Sequence, residues 1–410
     1  MRNRPSMTRR AFGAIAACAL IVSACGGDDD TTADTTAETT AAGTTAPPAT
    51  DPATPATDGG SGEVADIAAD RVAAFLQPTT ELPFSEPVAL EAGKKIFYIK
   101  CGVPVCEDIG TGIESAAAAA GWTVESTSHQ DTPDTVASAW DTAIAAQPDV
   151  VMTSGNPREW FASQLATLEE QGIPVVTWSI PEGYEPGDGI NVNLLTNDDY
   201  YFYGLLMADY AKVNSTTQNI LFVGLPTFPV LSTVQEGFTT EIAAVCPDCS
   251  VKTMEVAVTD LGTNLPGMIV SELQTNPDLD MVVYAFGGML FGVPEAIDAA
   301  GLGDQAKAVS QAGGPLNFGF IAAGQHQMAE VALASELLGW RAVDAAARIF
   351  AGEGPGRAAT PPAAAVDGHP DILASGLPLQ ILEAGSISDP TAQWVGVDGF
   401  QKQFSALWGL

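Results

Sequence analysis

A chain of 410 residues, 46% of them hydrophobic, can bury more than one core, and its formal net charge of −34 excludes a nucleic-acid partner, whose phosphates demand clustered Lys and Arg. The same acidity excludes electrostatic adhesion to anionic lipid. It keeps the chain soluble but names no ligand.

The chain begins with Arg2, Arg4, Arg9 and Arg10, then an apolar run from Ala11 to Val22, then Val22-Ser23-Ala24-Cys25. The run is about a dozen residues long, short of the ~20 that a spanning helix needs. This order reads as an export signal (1–25) closing on a bacterial lipobox, in which Ser23 and Ala24 suit cleavage before a lipid-bearing Cys25. The alternative is an ordinary secretory signal in which Cys25 is incidental. Thr8-Arg9-Arg10-Ala11-Phe12 also resembles the twin-arginine export motif. From 26 to 62 the composition is almost wholly Thr, Ala, Asp, Pro and Gly, without an aromatic. Such a segment cannot bury enough apolar area to offset backbone ordering, so a disordered tether is expected, followed by a lead-in segment over 63–93.

From Lys94 onward, short apolar runs alternate with helical stretches. Strands are expected at Lys95–Ile99, Trp122–Glu125, Asp149–Thr153, Ile173–Trp178 and Asn191–Leu194. Between them lie helices at Gly110–Gly121, Thr135–Ala146 and Arg158–Gln171. A second set follows: helix Tyr201–Val213, strand Asn219–Gly224, helix Leu231–Val245, strand Val251–Val258, helix Thr263–Asn276, strand Met281–Phe286, helix Pro294–Ala300 and strand Ala306–Ser310. Strict alternation implies parallel sheets wound with helices on both faces, and two sets imply two sheets. The fold class is therefore α/β, with two doubly wound lobes. Ligands of such sheets sit beyond the carboxyl ends of the strands, so facing lobes would share a cleft.

Leaving aside Cys18 and Cys25, four cysteines form two close pairs, Cys101 with Cys106 and Cys246 with Cys249. In an oxidising compartment two local disulfides are the economical reading. Cys246-Pro247-Asp248-Cys249 has the spacing of a thiol oxidoreductase, but a helix precedes it and a strand follows, the reverse of what lowers a catalytic thiol pKa. A four-cysteine metal site would require the pairs to converge. His129, His326 and His369 are scattered, suggest neither metal nor triad, and His326 is expected at the surface. No phosphate loop or nucleophile elbow surrounds Ser154, so no cofactor, metal or enzymatic activity is expected.

From about Lys94 to Leu382 the chain resembles the type I periplasmic binding proteins, specifically the ribose- and galactose-type sugar receptors of bacterial ABC transporters. The stretches that carry the likeness are Ile113-Glu114-Ser115-Ala116-Ala117, Gln171-Gly172-Ile173-Pro174-Val175-Val176, Gln235-Glu236-Gly237-Phe238, Ala296-Ile297-Asp298-Ala299-Ala300-Gly301 and Gly339-Trp340-Arg341-Ala342-Val343-Asp344. The resemblance implies two lobes joined by three crossings, here near Leu195–Asn197, near Gly319–Gln325 and after Ser375. The first lobe would then hold 94–196 with about 326–375, and the second 197–325 with about 376–410. Ligand contacts implied at the strand ends are Ser154, Asn156, Trp160, Trp178, Ser179, Thr227, Phe228, Phe286, Gln311 and Gln327. Gly287, Gly288, Gly313 and Gly314 either make turns or let a ligand approach closely. Trp122 and Trp340 are expected in the core, and Trp394, Phe400, Phe404 and Trp408 should pack the tail onto a lobe.

The chain also departs from the sugar-receptor pattern. Gln235 and Glu236 stand where an arginine is usual, Phe286-Gly287 replaces Asn-Asp, and Gln311-Ala312 replaces an aspartate. Charged side chains that bond pairs of hydroxyls are thus missing, which points to a small neutral ligand less polar than a simple sugar. The implied partners are this small molecule, the ABC permease and, through lipid on Cys25, the outer face of the cell membrane, with the protein a monomer. A receptor for a membrane sensor kinase or chemoreceptor is the alternative.

Overall fold

The structure, a computed structural model, describes residues 61–181 and 188–410, with side chains from Ile67 onward. The signal, Cys25 and the tether up to Gly60 lie outside the described residues. The lead-in begins with a helix absent from the sequence reading, α1 (Ser61–Phe75). Ala68, Val72 and Phe75 are buried at helical spacing, a signal short enough to be hidden by the polar run before it.

Alternation then builds the first lobe: β1 (Lys95–Lys100), α2 (Val105–Ala120), β2 (Thr123–Ser128), α3 (Pro133–Ala146), β3 (Val150–Ser154), α4 (Ala162–Gln171), β4 (Val175–Trp178) and β5 (Val192–Asn193). The second lobe follows: α5 (Asn197–Asn214), β6 (Asn219–Gly224), α6 (Pro229–Val245), β7 (Ser250–Glu255), α7 (Leu265–Thr275), β8 (Met281–Tyr284), α8 (Val293–Ala299), β9 (Lys307–Gln311), α9 (Pro315–Ala323) and β10 (Gln327–Leu333). The remaining elements are α10 (Ser335–Phe350), β11 (Leu379–Glu383) and α11 (Phe400–Leu407). One sheet has the order β2-β1-β3-β4-β5, the other β11-β10-β9-β8-β6-β7. All pairings are parallel except β10 with β11. The α/β class with two wound lobes is what the alternation implied.

The crossings differ from the sequence reading in two places. Gly319 lies within α9, and the strand after it, β10, runs parallel to β9 in the second sheet. The chain therefore leaves the second lobe at Ala334, after Gln327–Leu333, and not at Gly319–Gln325. It returns for β11, then leaves again, because α11 packs on α10 of the first lobe rather than staying with the second. Trp408 stacks on Trp340 with centroids 5.2 Å apart, and Phe404 lies 6.0 Å from the same ring. Trp394 remains on the second lobe beside Phe318 and Leu382.

The lead-in also touches both lobes. Arg71 of α1 pairs with Asp209 of α5 at 2.6 Å and Glu241 of α6 at 2.9 Å. Further on, Trp122 Nε1 donates to Glu91 O at 2.7 Å and Arg348 Nη2 donates to Glu86 O at 2.7 Å, both in the first lobe. At the first crossing Asp199 caps α5, accepting from Thr196 N at 2.8 Å and, across the hinge, from Leu373 N at 2.7 Å.

Candidate functional site

Between the lobes lies a cavity of about 90 Å³. The first lobe supplies the ends of β1, β3 and β4: Cys101, Ser154, Gly155, Trp178 and Ser179. The second supplies the loops after β6, β8 and β9 through Phe228, Phe286, Gln311 and Ala312, with Leu333 at the end of β10. Both groups stand at carboxyl ends of parallel strands, where the wound topology opens a crevice.

Of the ten residues singled out by sequence, the structure brings six to this cavity: Ser154, Trp178, Ser179, Phe228, Phe286 and Gln311. The other four do not line it. Asn156 is turned into the first lobe, where its Nδ2 donates to Asp131 Oδ1 at 3.2 Å. Trp160 packs against the outer cluster around the stacked Trp140 and Phe161, because Arg158–Trp160 forms a separate 3-10 turn ahead of α4. Thr227 is exposed. Gln327 lies at the start of β10, beneath the cleft loop, donating to Ser310 Oγ at 3.0 Å and Glu330 Oε2 at 2.6 Å. His326 is buried rather than at the surface, held between Tyr284 Oη and Ala306 O, each at 3.0 Å, and burial pushes its pKa down to about 4.

Sequence reasoning missed Val103, Val105, Ile109, Asp131, Tyr200, Val230, Leu231 and Leu333. Val105 and Ile109 belong to an early start of α2, which begins at Val105, inside the Cys101–Cys106 loop, so its first turns face the cavity, and Val103 lies in the loop just before it. Tyr200 reaches the cleft because α5 starts at Asn197, directly after the crossing. Pro104, just before α2, and Pro229, the first residue of α6, mark the earlier boundaries of those two helices.

The polar groups of the lining are few, and most already have partners. Ser179 Oγ and Tyr200 Oη are 2.6 Å apart, and burial raises the Tyr200 phenol to about 12. Ser154 Oγ lies 3.6 Å from Cys106 Sγ. Asp131 is the only carboxylate of the lining among the described residues; its oxygens accept from Gly102 N at 2.9 Å and Asn156 Nδ2. Two buried polar atoms differ. Trp178 Nε1 and Gln311 Oε1 have no hydrogen-bond partner, although each residue is only 1% exposed. Gln311 is held by its other end, Nε2 donating to Ala285 O at 2.8 Å. Ser179 and Ala312 have φ of 60° and 52°, so backbone strain clusters at this cavity.

The glycines of the second lobe serve loop packing. A Cβ on Gly287 would come within 2.5 Å of Gly313 Cα, and one on Gly313 within 2.5 Å of Asn317 Oδ1. Behind these loops Glu330 is fully buried, accepting from Ser310 Oγ, Gly313 N and Gln327 Nε2. Burial pushes its pKa from 4.5 up to about 7, against the hydrogen bonds, which lower it. The folded state thus holds a proton that the unfolded chain releases above pH 4.5. This stabilisation is complete below pH 4.5 and is lost as pH rises through 7. Asp199 is raised to about 7 by the same cause. The melting midpoint is therefore expected to fall from pH 5 to pH 8, and Glu330→Gln to flatten part of that slope; a midpoint that climbs over this range would contradict the assignment.

Cys101 and Cys106 are paired with Cα atoms 5.8 Å apart at the cleft rim, and Cys246 and Cys249 with 5.3 Å in the turn between α6 and β7. The pairs belong to different lobes and do not converge. Among the described residues no group of three His, Cys, Asp or Glu is placed to hold a metal, and no helix is long and apolar enough to cross a membrane.

A family model described as a periplasmic binding protein domain matches residues 100–354. No curated protein matches the chain by sequence. Among solved structures, a 5-methylthioribose transporter solute-binding protein from Thermotoga lettingae, in complex with 5-methylthioribose, superposes with a TM-score of 0.61 at 15% identity, covering 80% of this chain and 99% of that one. An ABC transporter solute-binding protein from Agrobacterium vitis bound to α-D-tagatopyranose gives 0.59 at 19%, covering 73% and 97%. GanP, a glucose-galactose binding protein from Geobacillus stearothermophilus, gives 0.59 at 16%, covering 73% and 100%. At these identities the structural likeness is one of fold. The family match, two parallel-sheet lobes and a cleft at their facing strand ends lead to one conclusion: the chain belongs to the periplasmic binding protein family, the extracytoplasmic substrate-binding proteins of transporters, in its type I form.

Proposed function

We propose that the protein is a lipid-anchored substrate-binding protein of an ABC importer, closing its lobes on a small neutral organic ligand and presenting the closed form to the permease. The observation that carries this reading is the interlobe cavity, whose walls come from the strand ends of both sheets. A ligand touching both walls has differential affinity for the closed state, and that difference shifts the population. The Arg-rich start, the apolar run and Val22-Ser23-Ala24-Cys25 support lipidation of Cys25, and the two cysteine pairs support disulfides formed after export. The tether composition supports a clamp held near its permease at high effective concentration. The protein works as a monomer and performs no chemistry on its ligand.

The test is native mass spectrometry of the full chain purified in detergent from its host membranes, with scattering before and after ligand removal. One bound small molecule, released unaltered with an increase in radius of gyration, is the expected result. A chain that carries no molecule and keeps its radius overturns the reading. Cys25→Ser should move the protein from the membrane fraction to the soluble one.

A further inference from the structure

We infer that the ligand of this cleft is a compact, uncharged molecule with a hydrocarbon body, one hydrogen-bond acceptor for Trp178 Nε1–H and one donor for Gln311 Oε1, and that it is not a polyhydroxylated sugar; the inference rests on the transport reading above. Its basis is the pair of buried polar atoms without partners. Buried polar groups are nearly always hydrogen-bonded, so two exceptions lining one cavity call for an explanation. A ligand that accepts from the indole and donates to the amide provides it.

The placement of the two atoms adds a mechanism. Trp178 ends β4 of the first lobe, and Gln311 ends β9 of the second. A molecule meeting both bridges the lobes through one hydrogen bond on each side. Closure without it leaves both groups unpaired, which penalises the empty closed form. Ligand occupancy and closure are thereby coupled through two named atoms.

The rest of the lining says what the molecule lacks. No Lys, Arg or His lines the cavity among the described residues, so an anionic ligand has no counter-charge. Ser179 and Tyr200 satisfy each other, and both oxygens of Asp131 already accept. The remaining walls are apolar, led by Val105, Ile109, Phe228, Leu231, Phe286 and Leu333. A hexose brings a hydroxyl on nearly every carbon, and each one buried without a partner weakens binding by roughly tenfold. The cavity of about 90 Å³ sets a compact body.

The experiment is titration calorimetry on the full chain in detergent, stripped of bound molecules by unfolding and refolding, with three probes: δ-valerolactam, D-ribose and D-galactose. The lactam carries one carbonyl acceptor and one N–H donor on a hydrocarbon ring. It is expected to bind more tightly than either sugar. Trp178→Phe removes the donor together with one ring of the indole; it should weaken lactam binding about tenfold. A merely structural indole would lower the melting midpoint of the empty protein and leave lactam affinity unchanged. Gln311→Met removes the acceptor and is the second variant should Trp178→Phe misfold. A sugar binding more tightly than the lactam, none of the probes binding, or both variants binding the lactam as the wild type does overturns the ligand class. None of these outcomes touches the transport reading, which stands or falls on the molecule carried from the host membranes.

Discussion

Asp344→Ala is expected to destabilise the protein by about 3–5 kcal/mol in urea unfolding of the full chain, the cost of leaving buried charges without their partner. Asp344 is completely buried in α10. Its Oδ2 accepts from Arg341 Nη1 at 3.2 Å and from Arg348 Nε at 2.9 Å, and its Oδ1 accepts from Trp408 Nε1 at 2.9 Å. Arg341 is also fully buried, and burial pulls its guanidinium down to about 10. Removing the carboxylate leaves Arg341 without a counter-charge and Arg348 with only Glu353, at 3.5 Å. Each guanidinium also holds a distant segment: Arg341 donates to Ser375 O, Pro355 O and Gly356 O, and Arg348 to Glu86 O. Lead-in, returning loop and tail should therefore loosen together. Asp344→Asn, which keeps the volume, should be milder. A loss below about 1 kcal/mol for Asp344→Ala would refute the role of the carboxylate as the centre of this network.

Gly237→Ala is the second large effect, expected to cost about 3 kcal/mol through overpacking. A Cβ at Gly237 would sit 2.0 Å from Tyr201 O, and one at Gly204 would sit 1.9 Å from Val234 O. Helices α5 and α6 thus touch backbone to backbone, and neither carbonyl is free to move. The matched control is Gly267→Ala in α7, where nothing lies within 4 Å of the added carbon. There the gain in helix propensity should stabilise by about 0.5–1 kcal/mol. Equal melting midpoints for the two variants would rule out the close helix contact.

Gly237 also shows how the sequence carried information without revealing its use. Gln235-Glu236-Gly237-Phe238 marks the family, yet its glycine serves helix packing. Gly339 of the Gly339-Trp340 motif behaves alike, since a Cβ there would lie 2.5 Å from Ile113 N in α2. The inner strands of the two sheets were legible because they are buried apolar runs between helices, unlike the exposed edge strands β2 and β7, and Asn219–Gly224 matches to the residue. Helix α1 was not, its apolar stripe being only Ala68, Val72 and Phe75 after a polar tract. Starts of α2 and α5 came four or five residues before the expected ones, and that shift carried Val105, Ile109 and Tyr200 into the cleft.

Gln327 marks the boundary of sequence reasoning most clearly. Its residue type suited a ligand contact, but β10 pairs with β9 in the second sheet, and that register turns the amide toward Ser310 and Glu330. Which sheet a strand joins depends on its pairing with other strands, here β9, so its own residue pattern does not decide it. By itself, residue order determined the α/β class, because that is written in short periodicity, and it carries the proposed export reading at Cys25 and the proposed lack of sugar-type charges at strand ends. Only the tertiary structure decided which strand ends meet, why Trp160 and Gln327 turn away, and that Trp178 Nε1 and Gln311 Oε1 share one cavity without partners. Those facts depend on tertiary packing, for Trp178 and Gln311 between segments more than a hundred residues apart, where side-chain direction is set by the sheet and not by the neighbouring sequence.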